Sequence, residues 1–220
     1  MMYDSAEIKE MLRLYFIMGS QNCVTDPVTT LLEAISGGIT LFQYREKGLG
    51  ALLDQEKKDM ARKLQKICRE SCIPFIVNDD INLALELDAD GVHIGQKDES
   101  ASSVRKRIGS KILGVSVHTL EEAQSALDHG ADYLGIGPVF PTHTKLDAEP
   151  VQGTSLLKSL HVAGITIPIV GIGGITCHNA RQVICEGADG IAVISAISLA
   201  VSPENAAMGL KTAVLSTLRR

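Results

Sequence analysis

"LDADGVHIG" (87–95), "HGADYLGIG" (129–137) and "EGADGIAVI" (186–194) are three copies of one nine-residue pattern. Each reads as the end of a helix running into a strand. A Gly or Asp suits the left-handed helix stop, a small Ala follows, an Asp begins the turn, and the apolar run reads as a strand buried on both faces. The unit that repeats is therefore αβ.

Extending the search in both directions predicts eight strands, "LYFIM" (14–18), "TLFQY" (40–44), "PFIVN" (74–78), "GVHIG" (91–95), "ILGVSV" (112–117), "YLGIG" (133–137), "IPIVGI" (167–172) and "GIAVIS" (190–195). Helical patterns lie between them. "DPVTTLLEAIS" opens with Asp26 as N-cap and Pro27 in the first turn; "LLDQEKKDMARKLQKIC" sets Leu53, Met60, Leu64 and Ile67 on one face; "TLEEAQSALDHG" has a capping threonine and a glycine stop. Eight βα units with no linker or low-complexity segment predict one α/β domain over residues 1–220, a closed (β/α)8 barrel led by a helix or arm of about twelve residues. An open Rossmann-like sheet is the alternative. It wants Gly-x-Gly-x-x-Gly after the first strand, where this chain has "GSQN".

The bulk composition excludes more than it specifies. Twenty glycines, no tryptophan and four phenylalanines favour aliphatic packing with many tight turns. A net charge of -5 argues against sequence-independent nucleic-acid binding. The N-terminus is acidic where a signal peptide is basic, and "LRLYFIMG" is too short to span a bilayer, so a soluble, cytoplasmic protein without a membrane partner is expected. Five cysteines without a CxxC spacing suit a reducing compartment, and Cys68 and Cys72 are expected to be plain thiols and not metal ligands.

A barrel places its chemistry at the carboxyl ends of the strands. After strand 2, "QYREK" puts Gln43, Arg45 and Lys47 at period two, suited to a polyanion, or else forms only a solvated rim. Strand 3 ends in "VNDD" and strand 4 in "HIGQKD", so Asp79 and Asp98 are candidates to share a Mg²⁺ ion, while helix capping is the plainer use of such aspartates, Asp80 included. Strand 5 ends with Ser116 and His118, the histidine being a secondary candidate. Strand 6 leads into "GPVFPTHTK", a long polar loop and a candidate lid. "GIGGIT" after strand 7 and "VISAI" after strand 8 suit a phosphate site made of glycine bends and backbone amides, although the glycines also serve tight turns. Together these ends suggest two anion sites, one cation-rich and one amide-rich. They offer no Ser-His-Asp arrangement and no strand lysine for a Schiff base.

These stretches, in this order and spacing, resemble the thiamine phosphate synthase family over nearly the whole chain. The resemblance implies a TIM barrel that joins 4-amino-2-methyl-5-hydroxymethylpyrimidine diphosphate to 4-methyl-5-(2-phosphoethyl)thiazole, carboxylated or not, with release of pyrophosphate. It implies that Gln43, Arg45, Lys47 and Asn78 contact the pyrimidine diphosphate and that Asp79 and Asp98 hold one Mg²⁺. Ser116 is implied near the pyrimidine and diphosphate, and Lys145 on the diphosphate. Thr142, Thr144, Gly174, Ile194 and Ser195 are implied around the thiazole phosphate. Tyr44, Glu46 and His143 enter the substrate-binding set with their motifs, His143 without an assigned contact. Arg45, Lys47, Ser116 and Lys145 are the implied catalytic residues. The implied mechanism is dissociative, the thiazole nitrogen capturing a pyrimidine carbocation. Two rivals share the barrel: a thiazole tautomerase relative, in which a histidine such as His118 matters, and a catalytically silent thiamine-pathway sensor.

Overall fold

The computed structural model describes residues 3–142, 144 and 150–218. Eight parallel strands close in sequence order into a barrel: β1 (Leu14–Met18), β2 (Leu41–Tyr44), β3 (Phe75–Asn78), β4 (Gly91–Ile94), β5 (Ile112–Val117), β6 (Tyr133–Ile136), β7 (Ile169–Ile172) and β8 (Gly190–Val193). The eight expected strands are all present, shortened by one or two residues at some ends. At β3 and β7 the reason is proline. Pro74 and Pro168 have no N–H to donate, yet their carbonyls accept from Phe42 and Leu134, so the ladder starts one residue later.

The helices alternate with the strands as α1 (Ser5–Leu12), α2 (Pro27–Ser36), α3 (Asp54–Glu70), α4 (Ile81–Glu86), α5 (Ala101–Ile108), α6 (Leu120–Asp128), α7 (Ser155–Val162), α8 (Ala180–Cys185), the short α9 (Ser195–Ser198) and α10 (Pro203–Leu218). Asp26 accepts from the Thr29 amide ahead of Pro27, and Thr119 accepts from the Glu122 amide, the two caps expected from sequence. The stripe expected on α3 needs correction. Leu53 precedes the helix and is exposed, and the side chains buried against the sheet are Ala61, Leu64 and Cys68, with Met60 and Ile67 flanking them. Large residues at helical spacing suggested the wrong edge of the face because Ala61 and Cys68 are small. No helix of the described residues is long and apolar enough to cross a membrane.

Two cores result. One lies between sheet and helices, and the other fills the barrel with Tyr15, Ile17, Leu41, Ile76, Ile112, Tyr133, Val170, Ala192 and Ile194. Ile8 and Leu12 of α1 join the inner cluster, so the leading helix plugs the end of the barrel away from the strand carboxyl ends. Strand register pairs inward residues with inward residues: His93 with Gly114, Gly114 with Tyr133, Ser116 with Gly135. Gly114 is required there. A Cβ at that position would stand 2.1 Å from the Tyr133 ring and 2.5 Å from His93 Nδ1.

The nine-residue repeat is a joint with a defined hydrogen-bond pattern. Asp88, Gly130 and Gly187 have φ of 50°, 80° and 106°, the left-handed stop, and the amides of Ala89, Ala131 and Ala188 reach back five residues into their helices. The aspartate that follows does more than start a turn. Asp90, Asp132 and Asp189 each accept from the amide at the start of the preceding strand, Phe75, Leu113 and Ile169, at 2.7, 2.7 and 2.9 Å, while their own amides donate to the carbonyls of the same three residues. Each repeat thus clips one strand to the next at the bottom of the barrel. Replacing Asp132 by Ala leaves the Leu113 amide without its side-chain acceptor and Arg105 without its carboxylate at 2.6 Å. Asp132→Ala is expected to lower stability by about 1–3 kcal/mol in urea unfolding, with Asp132→Asn losing less; an unchanged midpoint in the alanine variant would contradict the clip.

Candidate active site

The strand carboxyl ends open into a cavity of about 1210 Å³. On one side β2 runs into Arg45 and Lys47. The Arg45 amide donates to the Met18 carbonyl at 2.8 Å, which extends the β1–β2 pairing into the mouth and leaves the guanidinium buried on the cavity wall. Lys47 Nζ stands 2.7 Å from Asp79 Oδ2, and Asn78, Asp79 and Asp98 line the same side.

The two uses weighed for the aspartates separate cleanly. Asp80 is the cap of α4, accepting from the Leu83 amide at 3.0 Å and pairing with Lys57 at 2.7 Å. Asp79 sits beside it in the left-handed region with φ 59° and caps nothing. Burial pushes its carboxyl above the ordinary range; the Lys47 ammonium opposes this and the neighbouring Asp98 carboxylate adds to it. Asp98 does not cap α5, a task that falls to Ser100; its Oδ2 accepts from the Gly95 amide at 2.7 Å instead. Two carboxylates crowded together in a half-buried place fit a cation. Among the described residues no cluster of three or more His, Cys, Asp or Glu could hold a metal ion; two carboxylate donors are of the kind that Mg²⁺ takes together with waters and phosphate oxygens.

The opposite side is built of bends. Gly173 and Gly174 have φ of 99° and 62°, and a Cβ on Gly174 would stand 2.5 Å from the Pro141 carbonyl oxygen. The amides of Val139 and Phe140 donate to Ile172 and Gly173 at 2.8 and 3.0 Å, which lays the start of the β6 loop along β7. Thr144 Oγ1 donates to Ser195 Oγ at 3.1 Å, joining that loop to the beginning of α9 beside Ile194. Thr142 accepts from the Thr144 amide at 3.3 Å, and Thr142, Thr144, Gly173, Gly174, Ile194 and Ser195 line the cavity. His143 and Lys145 lie outside the described residues, as do residues 146–149 that follow them.

Ser116, between the two sides, has His93 Nε2 at 2.8 Å from its Oγ, and its carbonyl accepts from Gln96 at 2.7 Å. His118 is at the wall, its amide donating to Glu122 Oε2 at 2.6 Å and its Nδ1 at 3.2 Å from the same oxygen.

Three members of the "QYREK" stretch, Gln43, Tyr44 and Glu46, are not among the residues that line the cavity. Tyr44 points outward by the two-residue alternation of a strand, stacks on Phe75 and donates to the Lys57 carbonyl at 3.1 Å. Glu46 is spent on the loops, accepting from the Ser20 amide and hydroxyl at 2.9 and 2.6 Å and from the Leu52 amide at 2.8 Å. Gln43 is buried below the mouth against Tyr15. Sequence reasoning missed Tyr15, His93 and Tyr133, whose signal was a polar-tipped ring inside an otherwise apolar strand run. It also missed Asn179, which ties the β7 loop by donating to the Gly174 carbonyl at 3.0 Å and accepting from Thr176.

A closed parallel barrel with cations and paired carboxylates on one side of its mouth, and glycine bends on the other, belongs to the barrel enzymes that handle phosphorylated small molecules. The family model described as thiamine monophosphate synthase matches residues 14–197. A thiamine-phosphate synthase of Bacillus cereus is 61% identical over 199 residues, covering 90% of this chain and 91% of its own, and one of Bacillus thuringiensis is 60% identical over the same shares. The solved thiamine phosphate pyrophosphorylase of Pyrococcus furiosus is 36% identical, with a TM-score of 0.85 over 96% of this chain and 99% of its own. The chain belongs to the thiamine monophosphate synthase family. It is a transferase that makes thiamine phosphate and releases pyrophosphate.

Because one Glu46 carboxylate holds the loops after both β1 and β2, Glu46→Ala is expected to free residues 47–53. Limited proteolysis should then cut there well before the rest of the barrel; cleavage as slow as in the parent chain would contradict this bracing role.

Proposed function

We propose that the two sides of the mouth divide the two substrates between them. The pyrimidine diphosphate is held by Arg45, Lys47, Lys145, Asn78 and Ser116 above Gln43, and the thiazole phosphate by Thr142, Thr144, Gly174, Ile194 and Ser195. The observation that carries this reading is the segregation of charge. Arg45, Lys47, Asp79 and Asp98 line one side, and the other presents hydroxyls, glycine bends and the start of α9. A diphosphate requires more neutralisation than a monoester, and Arg45, Lys47 and a cation held by Asp79 and Asp98 would supply it.

Asp79 and Asp98 are the residues that would hold Mg²⁺, which when bound supplies charge stabilisation to a departing phosphate. The chain's own cations act on the same charge. As the bond from the pyrimidine methylene to oxygen breaks, negative charge grows on the leaving pyrophosphate, and Arg45, Lys47 and Lys145 stabilise it where water is scarce. The pyrimidine amino group donates electrons into the cationic methylene carbon. The thiazole nitrogen, held close by the phosphate grip, then forms the new C–N bond before water can capture that carbon. The Asp79–Lys47 contact of 2.7 Å keeps the lysine in reach of the mouth before any substrate arrives.

The His118–Glu122 pair is the feature that a tautomerase reading would use. Mixing both substrates distinguishes the two. Pyrophosphate and thiamine phosphate are expected in equal amounts and only with Mg²⁺, whereas conversion of a thiazole isomer alone would overturn the proposal. Asp79→Ala and Lys145→Ala are each expected to nearly abolish turnover with an unchanged circular dichroism spectrum, and Ser116→Ala to slow it by about tenfold or more. Full turnover in either of the first two would sink the assignment of the cation-rich side.

A further inference from the structure

Inside the barrel, five side chains form one continuous chain of hydrogen bonds from β2 to β5. Gln43 Nε2 donates to the Tyr15 hydroxyl at 2.6 Å, the Tyr15 and Tyr133 hydroxyls are 2.8 Å apart, Tyr133 is 2.9 Å from His93 Nδ1, and His93 Nε2 is 2.8 Å from Ser116 Oγ. Tyr15 and Tyr133 are fully buried, and burial pushes both phenols far above their ordinary range, so each keeps its single proton. A phenol with one proton donates once. An imidazole carrying one proton donates from one nitrogen and accepts at the other.

The direction of the whole chain therefore follows from one end. The Gln43 nitrogen can only donate, so Tyr15 accepts from it and passes its proton to Tyr133, and Tyr133 passes its own to His93 Nδ1. His93 then carries its proton on Nε2 and donates to Ser116 Oγ. Rotating the Gln43 amide would reverse every member, but it would leave both protons of a buried NH₂ group without an acceptor. The sense set by the Gln43 nitrogen leaves one N–H and the Oε1 lone pairs, and Oε1 is indeed buried without a partner. Orphaned N–H groups are the rarer arrangement.

We infer that this chain makes the Ser116 hydroxyl an obligate donor toward the cavity, with Tyr15, Tyr133 and His93 as positioning residues that act through it. Resting on the function proposed above, Ser116 then meets an acceptor on the pyrimidine diphosphate. Without the chain, the serine proton turns to His93 as readily as to the substrate, and the donor is lost for part of the time. Tyr15 stands three hydrogen bonds from Ser116 and one from Gln43, so the part of its effect that needs the Ser116 hydroxyl is the part that runs through this route.

The test combines a spectroscopic and a kinetic measurement on the full chain. In ligand-free protein with ¹⁵N-labelled histidine, assigned with His93→Gln, His93 is expected to carry its proton on Nε2 with Nδ1 bare; a protonated Nδ1 would overturn the inference. Tyr15→Phe is expected to lower kcat by about 3- to 10-fold with little change in either KM. That loss should vanish when the same change is made in Ser116→Ala, since residues acting as one unit are not additive. An equal loss in both backgrounds would mean that Tyr15 serves packing or the placing of Gln43 and not Ser116, and would also overturn it. If Tyr15→Phe fails to fold, Tyr133→Phe cuts the same chain one bond nearer to Ser116 and is read the same way. The histidine measurement needs no substrate, so a parent chain that made no thiamine phosphate would count against the proposed function and leave this result standing.

Discussion

A parallel barrel must fill its own interior, and in this chain the filling is polar at its upper edge. Tyr15, Tyr133, His93 and Gln43 take positions where Val, Ile or Leu would pack without further conditions. Each buried polar tip needs a partner, and each finds it in the next, which ties β1, β2, β4 and β6 to one another inside the sheet as well as through the backbone. Gly114 makes room for this arrangement by giving up its side chain between the Tyr133 ring and His93. The apolar plug from α1 lies below, and the open mouth above. The polar layer is thus the boundary between a core that holds the fold together and a floor on which chemistry is done.

Above that floor the mouth is organised by short, fixed approaches of one loop to the next. Glu46 joins the β1 and β2 loops, Lys47 and Asp79 join those of β2 and β3, and Thr144 and Ser195 bridge those of β6 and β8. Strand order brings the first two pairs together, because consecutive strands are adjacent, whereas the β6 loop reaches past β7 to meet the start of α9. Separation of a cation-rich half from a hydroxyl and glycine half then needs no extra domain. It is suited to a reaction in which one anion must leave and another must hold its carrier in place.

Much of this was legible from the residues. The nine-residue repeat carries its own geometry, since a left-handed stop, a small residue and an aspartate at a strand start are local requirements, and all three copies meet them. Arg45, Lys47, Asp79 and Ser116 were equally visible as charged or polar residues at strand ends. Less visible was orientation. Tyr44 shares a motif with Arg45 but faces the helices, and Glu46 spends its carboxylate on backbone amides of two neighbouring loops, which no local pattern announces. The buried chain was hidden for another reason. Its members are 23 to 118 residues apart in sequence, and only barrel closure makes them neighbours.

The division of the mouth is tested most directly by a crystal structure of the chain with Mg²⁺, pyrophosphate and the thiazole phosphate together. Pyrophosphate and the metal are expected between Arg45, Lys47, Asp79 and Asp98, with the thiazole phosphate at Gly174 and Ser195. Pyrophosphate seated at the glycine bends, or both anions competing for one side, would contradict it.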